Sequence, residues 1–316
     1  MIKKNNTVLL LIVAVIAACS KTDVEQNIIF KNASVYTVNK NQPWATSVVI
    51  QNEKIIFVGS DEDALEFKNK NSQIIDLNKK MILPGFHDIH VHPVHGGVTF
   101  LQCNLTDIRG IDNLLSKIKS CADEKGPNEW VLGGGWAVDN FSAMKLPDKT
   151  MLDEIVPNKP ISLKSSDGHS LWANSIALEI SNINENTIDP KNGAIERYPN
   201  SREPSGLLHE DSAMMLVMDN HPELTNKELI DGLKYSRDEF HRVGITGVQD
   251  ALLKLEPGDP YFGLDAYNYL DDRNELNLHV VTAMFWNNGQ PLKPQLERFK
   301  RVRKKQENSR NVKATS

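Results

Sequence analysis

The stretch Leu83-Pro84-Gly85-Phe86-His87-Asp88-Ile89-His90-Val91-His92 decides how the rest of the chain is read. A Pro-Gly break followed by a short apolar run marks the start of a strand. Side chains alternate faces along a strand, so His90 and His92 point the same way and Val91 points opposite. Two imidazoles on one face at a strand's end can converge on a divalent cation, and zinc takes nitrogen ligands at about 2.0–2.1 Å. Asp88 shares their parity and is a candidate acceptor for an imidazole N–H. His87 has the opposite parity, and His95 falls in the segment after the strand.

Upstream, residues 27–82 read as short strands separated by polar breaks: Ile28 to Phe30, Ala33 to Val38, Ser47 to Gln51, Lys54 to Val58 and Ile74 to Leu77. Asn52-Glu53 suits a tight hairpin turn. This is the pattern of a small β-sandwich-like domain. Downstream the pattern changes to strands alternating with amphipathic helices, the mark of parallel βα units. Phe86 to Val91, Trp130 to Leu132, Ile161 to Lys164, Ile245 to Val248 and Leu278 to Phe285 are the expected strands. Ile111, Leu114, Leu115, Ile118, Cys121 and Ala122 make one helical stripe. Thr225-Asn226-Lys227-Glu228 has capping-box spacing. Residues 181–222 read as a long polar insertion.

The fold class expected from this pattern is α/β: a (β/α)8 TIM-type barrel over residues 83–316, of which about the first five units are present. Such barrels place their chemistry at the carboxyl ends of the strands. An open doubly wound sheet is the alternative, although no glycine-rich phosphate fingerprint follows the first strand. Five strands use the chain to residue 285, and residues 287–316 read as helix and loop. The sequence is therefore expected to be a C-terminally truncated fragment.

Residues 1–19 read as a signal peptide. Lys3 and Lys4 precede an apolar run from Val8 to Ala18, too short to span a bilayer. It ends at Ile16-Ala17-Ala18-Cys19, which resembles a bacterial lipobox with Cys19 as the lipidated residue. Residues 20–26 are polar and read as a tether. The expected location is the bacterial cell envelope, lipid-anchored and facing the periplasm or exterior. Cys103 and Cys121 remain, and a disulfide or two buried thiols are equally compatible with an oxidising compartment. A net charge of -5 argues against nucleic acid as partner. Six of the eight residues from Arg298 to Lys305 are basic; they read as a solvated helix face, with Leu296, Phe299 and Val302 turned inward.

The segment from Leu83 to His92 resembles the P-G-x-x-D-x-H-x-H first-strand motif of the amidohydrolase superfamily. Further segments resemble one branch, amidohydrolase family 3 (YtcJ-like or N-substituted formamide deformylase-like). These are Glu129-Trp130-Val131-Leu132-Gly133-Gly134-Gly135-Trp136, Asp167-Gly168-His169-Ser170-Leu171-Trp172-Ala173-Asn174-Ser175, Ser205-Gly206-Leu207-Leu208-His209-Glu210 and Gly244-Ile245-Thr246-Gly247-Val248-Gln249-Asp250-Ala251. The resemblance implies metal-activated water attacking an amide-like C–N bond of a small molecule, linear or cyclic. It implies His90 and His92 as metal ligands and one or two divalent ions, zinc first among them. A bridging carboxylated lysine, two later histidines and a last-strand aspartate complete the family's site, and none of these is identified in the sequence.

Within the resemblance, His169 is a substrate-positioning or oxyanion-stabilising candidate, while Glu210 and Asp250 are candidates for substrate positioning or for support of the ligands. Lys164 could be a carbamate bridge but better suits snorkelling to solvent or pairing with a carboxylate. His279 heads a strand at the end away from barrel chemistry and reads as structural. Trp130, Trp136 and Trp172 read as core. An ester, lactone or phosphoester hydrolase on the same barrel remains open, as does a non-catalytic surface lipoprotein with a degraded barrel. Homo-oligomerisation is left open.

Overall fold

The computed structural model describes residues 26–141, 146–255 and 263–315. The leader, Cys19 and nearly all of the tether lie outside the described residues. Among those described, no helix is long and apolar enough to cross a membrane. The chain divides into two compact units, one ending at Pro84 and the other beginning at Gly85.

The first unit holds β1 (Asn27–Lys31), β2 (Ser34–Tyr36), β3 (Trp44–Ala45), β4 (Ser47–Gln51), β5 (Lys54–Gly59), a single helical turn α1 (Asp61–Ala64), β6 (Gln73–Asp76) and β7 (Met81–Ile82). They form a four-stranded sheet in the order β5-β4-β1-β6 and a three-stranded one, β3-β2-β7. Asn52 and Glu53 both take positive φ, 48° and 64°, the geometry that a two-residue hairpin needs to match strand twist. Alternate residues of β1 and β4 turn inward, so that Ile29 and Val49 are fully buried together with Ala64.

The second unit contains β8 (Phe86–Val91), α2 (Pro93–Leu101), β9 (Cys103–Asn104), α3 (Ile111–Asp123), β10 (Val131–Trp136), α4 (Lys149–Ile155), β11 (Ile161–Ser165), β12 (Ser170–Ala173), α5 (Ser175–Ile180), β13 (Ala194–Arg197) and β14 (Pro204–His209). It continues through α6 (Glu210–Met218), α7 (Asn226–Arg242), β15 (Ile245–Leu253), α8 (Leu264–Asp271), β16 (His279–Met284), α9 (Leu292–Gln306) and β17 (Val312–Thr315).

The expected run of five consecutive barrel strands is replaced by two open sheets. The first, in the order β17-β16-β15-β8, is parallel throughout. The second, β13-β14-β12-β11-β10-β9, is parallel from β9 to β11 and antiparallel beyond. The strands around residues 131 and 161 thus do not follow β8 in its sheet. They belong to a separate layer with its own core of Leu105, Leu114, Ile118, Leu152, Ile161, Leu163 and Trp172. Apolar runs of equal length do not reveal which sheet they join, and only long-range pairing separates the five. Residues 312–315, where a loop is expected, instead form β17, which pairs with β16 along its whole length. Buried Val312 anchors it to the core of the parallel sheet.

Two glycines set how the helices cover that parallel sheet. Gly97 on α2 and Gly232 on α7 meet where the helices cross: a Cβ at Gly97 would stand 1.8 Å from the Gly232 carbonyl oxygen. Ser236 donates a hydrogen bond of 2.7 Å to the Pro93 carbonyl at the same crossing. Helix α7 opens with the capping box expected at Thr225 and Glu228. Leu229 and Leu233 from α7, and Tyr267 and Leu270 from α8, fill the layer between helices and sheet; full burial of such a side chain contributes about 1.5–3 kcal/mol.

Cys103 and Cys121 form a disulfide joining β9 to α3, which resolves the open alternative. In α9, Phe299 is buried and Val302 half-buried as expected, while Leu296 is 40% exposed instead of inward. Buried Gln295 takes the inward position on that turn, where its side-chain amide binds the backbone of Asn287.

Candidate metal centre and a neighbouring polar cluster

Strand β8 ends at Val91, and His92 is the residue that caps α2, with Pro93 at the first helical position. Proline there fixes the turn because the helix needs no N–H at that point. His90 and His92 lie with ring centroids 5.7 Å apart and planes at 78°. His90 is exposed and His92 half-buried. Asp88 does not accept from an imidazole: its Oδ1 accepts the backbone N–H of His90 at 3.1 Å, which stiffens the strand end.

The carboxylate beside the pair comes from Asp250 on β15, which stands opposite Val91 in register. Asp250 Oδ1 is 3.7 Å from His92 Nδ1, longer than a hydrogen bond. Asp250 is buried at 3% exposure. Its Oδ2 accepts from the Tyr267 hydroxyl at 2.9 Å and its Oδ1 from the Leu252 N–H at 3.2 Å. Burial, reinforced by the Asp250 carboxylate, pushes the Tyr267 phenol well above its ordinary value, so it stays a donor. An anion facing Nδ1 favours the tautomer with its proton there and leaves Nε2 as the lone pair for a cation. His90 and His92 supply two imidazole donors of the kind that a nitrogen-liganded divalent metal takes. Among the described residues no group of three His, Cys, Asp or Glu side chains is placed to hold a metal ion.

His169, in the bend before β12, and Glu210, the first residue of α6, meet beside the second sheet. His169 Nδ1 is 3.1 Å from Glu210 Oε2, both side chains well exposed. The hydrogen bond His169 makes to the Glu210 carboxylate, then the carboxylate's charge, raises the His169 pKa above the ordinary value. Asp167 Oδ1 accepts from the Ser165 hydroxyl at 2.6 Å and from the His169 N–H at 3.0 Å, and these bonds lower its pKa. Gly168 takes φ 81° in that turn, and Glu210 takes φ 65° at the turn from β14 into α6. A glutamate held in the left-handed region costs of order 1 kcal/mol or more and persists where surrounding contacts hold it. Here the Glu210 N–H donates to the His169 carbonyl at 2.9 Å.

The structure thus brings His90, His92 and Asp250 together, and separately His169 and Glu210. Lys164 sits on β11 in the second sheet, whereas His90 and His92 lie at the end of β8 in the first, so the carbamate role gains no support. His279 starts β16, its ring 6.1 Å from that of His87. Two features escaped the sequence: Tyr267 behind Asp250, and a chain from Ser170 through His209 to Glu196. Both depend on pairings between strands or helices distant in sequence, and no local spacing announces them.

The family model for the amidohydrolase family matches residues 73–314. Protein LONG AFTER FAR-RED 3 of Arabidopsis thaliana is 34% identical over 224 residues, covering 71% of this chain and 38% of that protein. N-substituted formamide deformylase of Arthrobacter pascens is 27% identical over 240 residues, covering 74% of this chain and 44% of that protein. The chain therefore spans less than half the length of either relative. The crystal structure of an uncharacterized metal-dependent hydrolase from Pyrococcus furiosus is similar in fold, with a TM-score of 0.62 at 20% identity, over 90% of this chain and 54% of that one. The two open sheets and their covering helices have the α/β architecture of a metal-dependent hydrolase, and the chain belongs to the amidohydrolase family.

Proposed function

We propose that the complete protein hydrolyses an amide-like C–N bond, linear or cyclic, in a small molecule, with a divalent metal as cofactor. The observation that carries this reading is the placement of His90 and His92 at the end of β8 with buried Asp250 facing His92 Nδ1. Zinc, as one or two ions, suits two imidazole ligands best. When bound, such an ion supplies a water of near-neutral pKa and polarises a carbonyl oxygen. The chain's own part is to hold the imidazoles: Asp250 sets the His92 tautomer, Tyr267 holds Asp250, and the Asp88 carboxylate fixes the backbone at His90. His169 and Glu210 orient the substrate. The parallel sheet β8, β15, β16 and β17 is proposed as part of a (β/α)8 barrel. The deformylase relative, whose name specifies an N-substituted formamide, supports a C–N bond as the target.

From residues 1–26 we further propose a leader ending at Cys19 and a lipid anchor in the cell envelope. The test of function is turnover of an amide panel by the complete protein before and after chelation. Activity lost to the chelator and restored by zinc supports the reading; turnover indifferent to metal, or none across the panel, contradicts it.

A further inference from the structure

We infer that Ser170, His209 and Glu196 form a second, metal-independent nucleophilic site that takes acyl groups from activated esters and phosphonyl groups from phosphonyl fluorides. Three strands meet to build it. Ser170 opens β12, His209 ends β14 directly opposite it in register, and Glu196 lies on β13, which pairs with the other edge of β14. The Ser170 hydroxyl is 3.0 Å from His209 Nδ1, and His209 Nε2 is 3.1 Å from Glu196 Oε2.

The proton positions follow from the partners. A carboxylate only accepts, so Nε2 carries the ring proton and Nδ1 is left as acceptor, and the Ser170 hydroxyl donates to it. A nucleophile within hydrogen-bond reach of a base, itself oriented by a third group, is the arrangement that activates a serine. The members are held in place independently. The Ser170 N–H donates to the Ser165 hydroxyl at 2.9 Å. His209 immediately precedes the left-handed Glu210 at the strand-to-helix turn, and such a turn presents the preceding side chain at a fixed angle. Ser170 is half-buried, and His209 and Glu196 keep 36% and 39% of their side-chain surface open, so the chain of groups borders solvent.

The step balances without a cofactor. Ser170 Oγ bonds to the acyl carbon as its proton passes to His209 Nδ1. The ester C–O bond then breaks, and His209 returns the proton to the departing alcohol. Water reverses the sequence to release the acid. With a fluorophosphonate, the Oγ–P bond forms, fluoride leaves, and the adduct is permanent.

The experiment treats the full chain with a fluorophosphonate probe in excess chelator, then maps the adduct by peptide mass spectrometry. The expected result is a Ser170 adduct whose formation is unchanged by chelator and falls about 100-fold in His209→Gln, with a smaller loss in Glu196→Gln. Mapping on the wild-type chain needs no variant to fold, and circular dichroism checks each variant's fold. An adduct absent from Ser170, or formed as fast in a folded His209→Gln, overturns the inference and leaves the three residues as a hydrogen-bonded stitch across the sheet.

Discussion

Asp250 touches His92 with one carboxylate oxygen, at 3.7 Å, while Tyr267 donates to the other at 2.9 Å. A buried carboxylate facing an imidazole is stable only where its remaining lone pairs are used. Tyr267→Phe leaves Oδ2 without that donor and is expected to cost about 1–3 kcal/mol. The loosened carboxylate should also weaken metal binding by about 10–100-fold. Denaturant unfolding and metal titration of the same variant check both. A neutral result in both would mean that Asp250 is held by its backbone contacts alone.

His169 owes its raised pKa to Glu210. The imidazole is expected to titrate above 6.5, and Glu210→Gln should bring it back toward that value, as read by proton NMR of the ring. The pair's mutual attraction is therefore present below pH 6.5 and lost as pH rises through the raised value. The unchanged titration of His169 in the variant would show that the contact does not persist in solution.

Helix α2 carries two adjacent glycines with opposite expectations. A Cβ on Gly97 would collide with the Gly232 carbonyl, whereas a Cβ on Gly96 meets nothing within 4 Å. Gly97→Ala should destabilise by about 3 kcal/mol by forcing α2 off α7. Gly96→Ala should stabilise by about 0.5–1 kcal/mol, the helix-propensity gain. Thermal unfolding of the two variants compares them directly, and equal shifts would refute the close crossing.

His221 packs edge-on to Trp130 at 4.9 Å, and burial pushes its pKa down to about 4. The unfolded chain takes up a proton near pH 6.5 and the folded one does not until about pH 4. Stability should thus fall across that window, by on the order of 3 kcal/mol when complete. His221→Leu should flatten the stability profile between those values, measured as urea midpoints against pH. A variant with the wild-type slope would place the acid sensitivity elsewhere.

The first-strand histidines were legible because strand parity and the Pro-Gly break are local features, and β8 ends where Val91 was expected to end it. The capping box at Thr225 and the buried stripe of α3 were legible for the same reason. The sheet to which each strand belongs was not. Val131 and Ile161 sit on runs as apolar as Val248 and Val280, and only long-range pairing separates them. Asp88 shares the parity of the histidines but binds the His90 backbone, while the neighbouring parallel strand delivers Asp250, already a candidate for support of the ligands, to His92. Leu296 lost its inward place to Gln295, because the backbone groups of Asn287 needed partners that leucine cannot supply.

The most direct test of the account is metal uptake by the full chain, with His90→Ala and His92→Ala beside it. The chain is titrated with zinc or cobalt and followed by calorimetry and by the visible spectrum of cobalt. The account predicts binding by the wild-type chain that drops at least tenfold in each folded variant and shows nitrogen ligation in the cobalt spectrum. Equal binding by wild type and both variants, or none by wild type, would contradict the assignment of His90 and His92 as ligands.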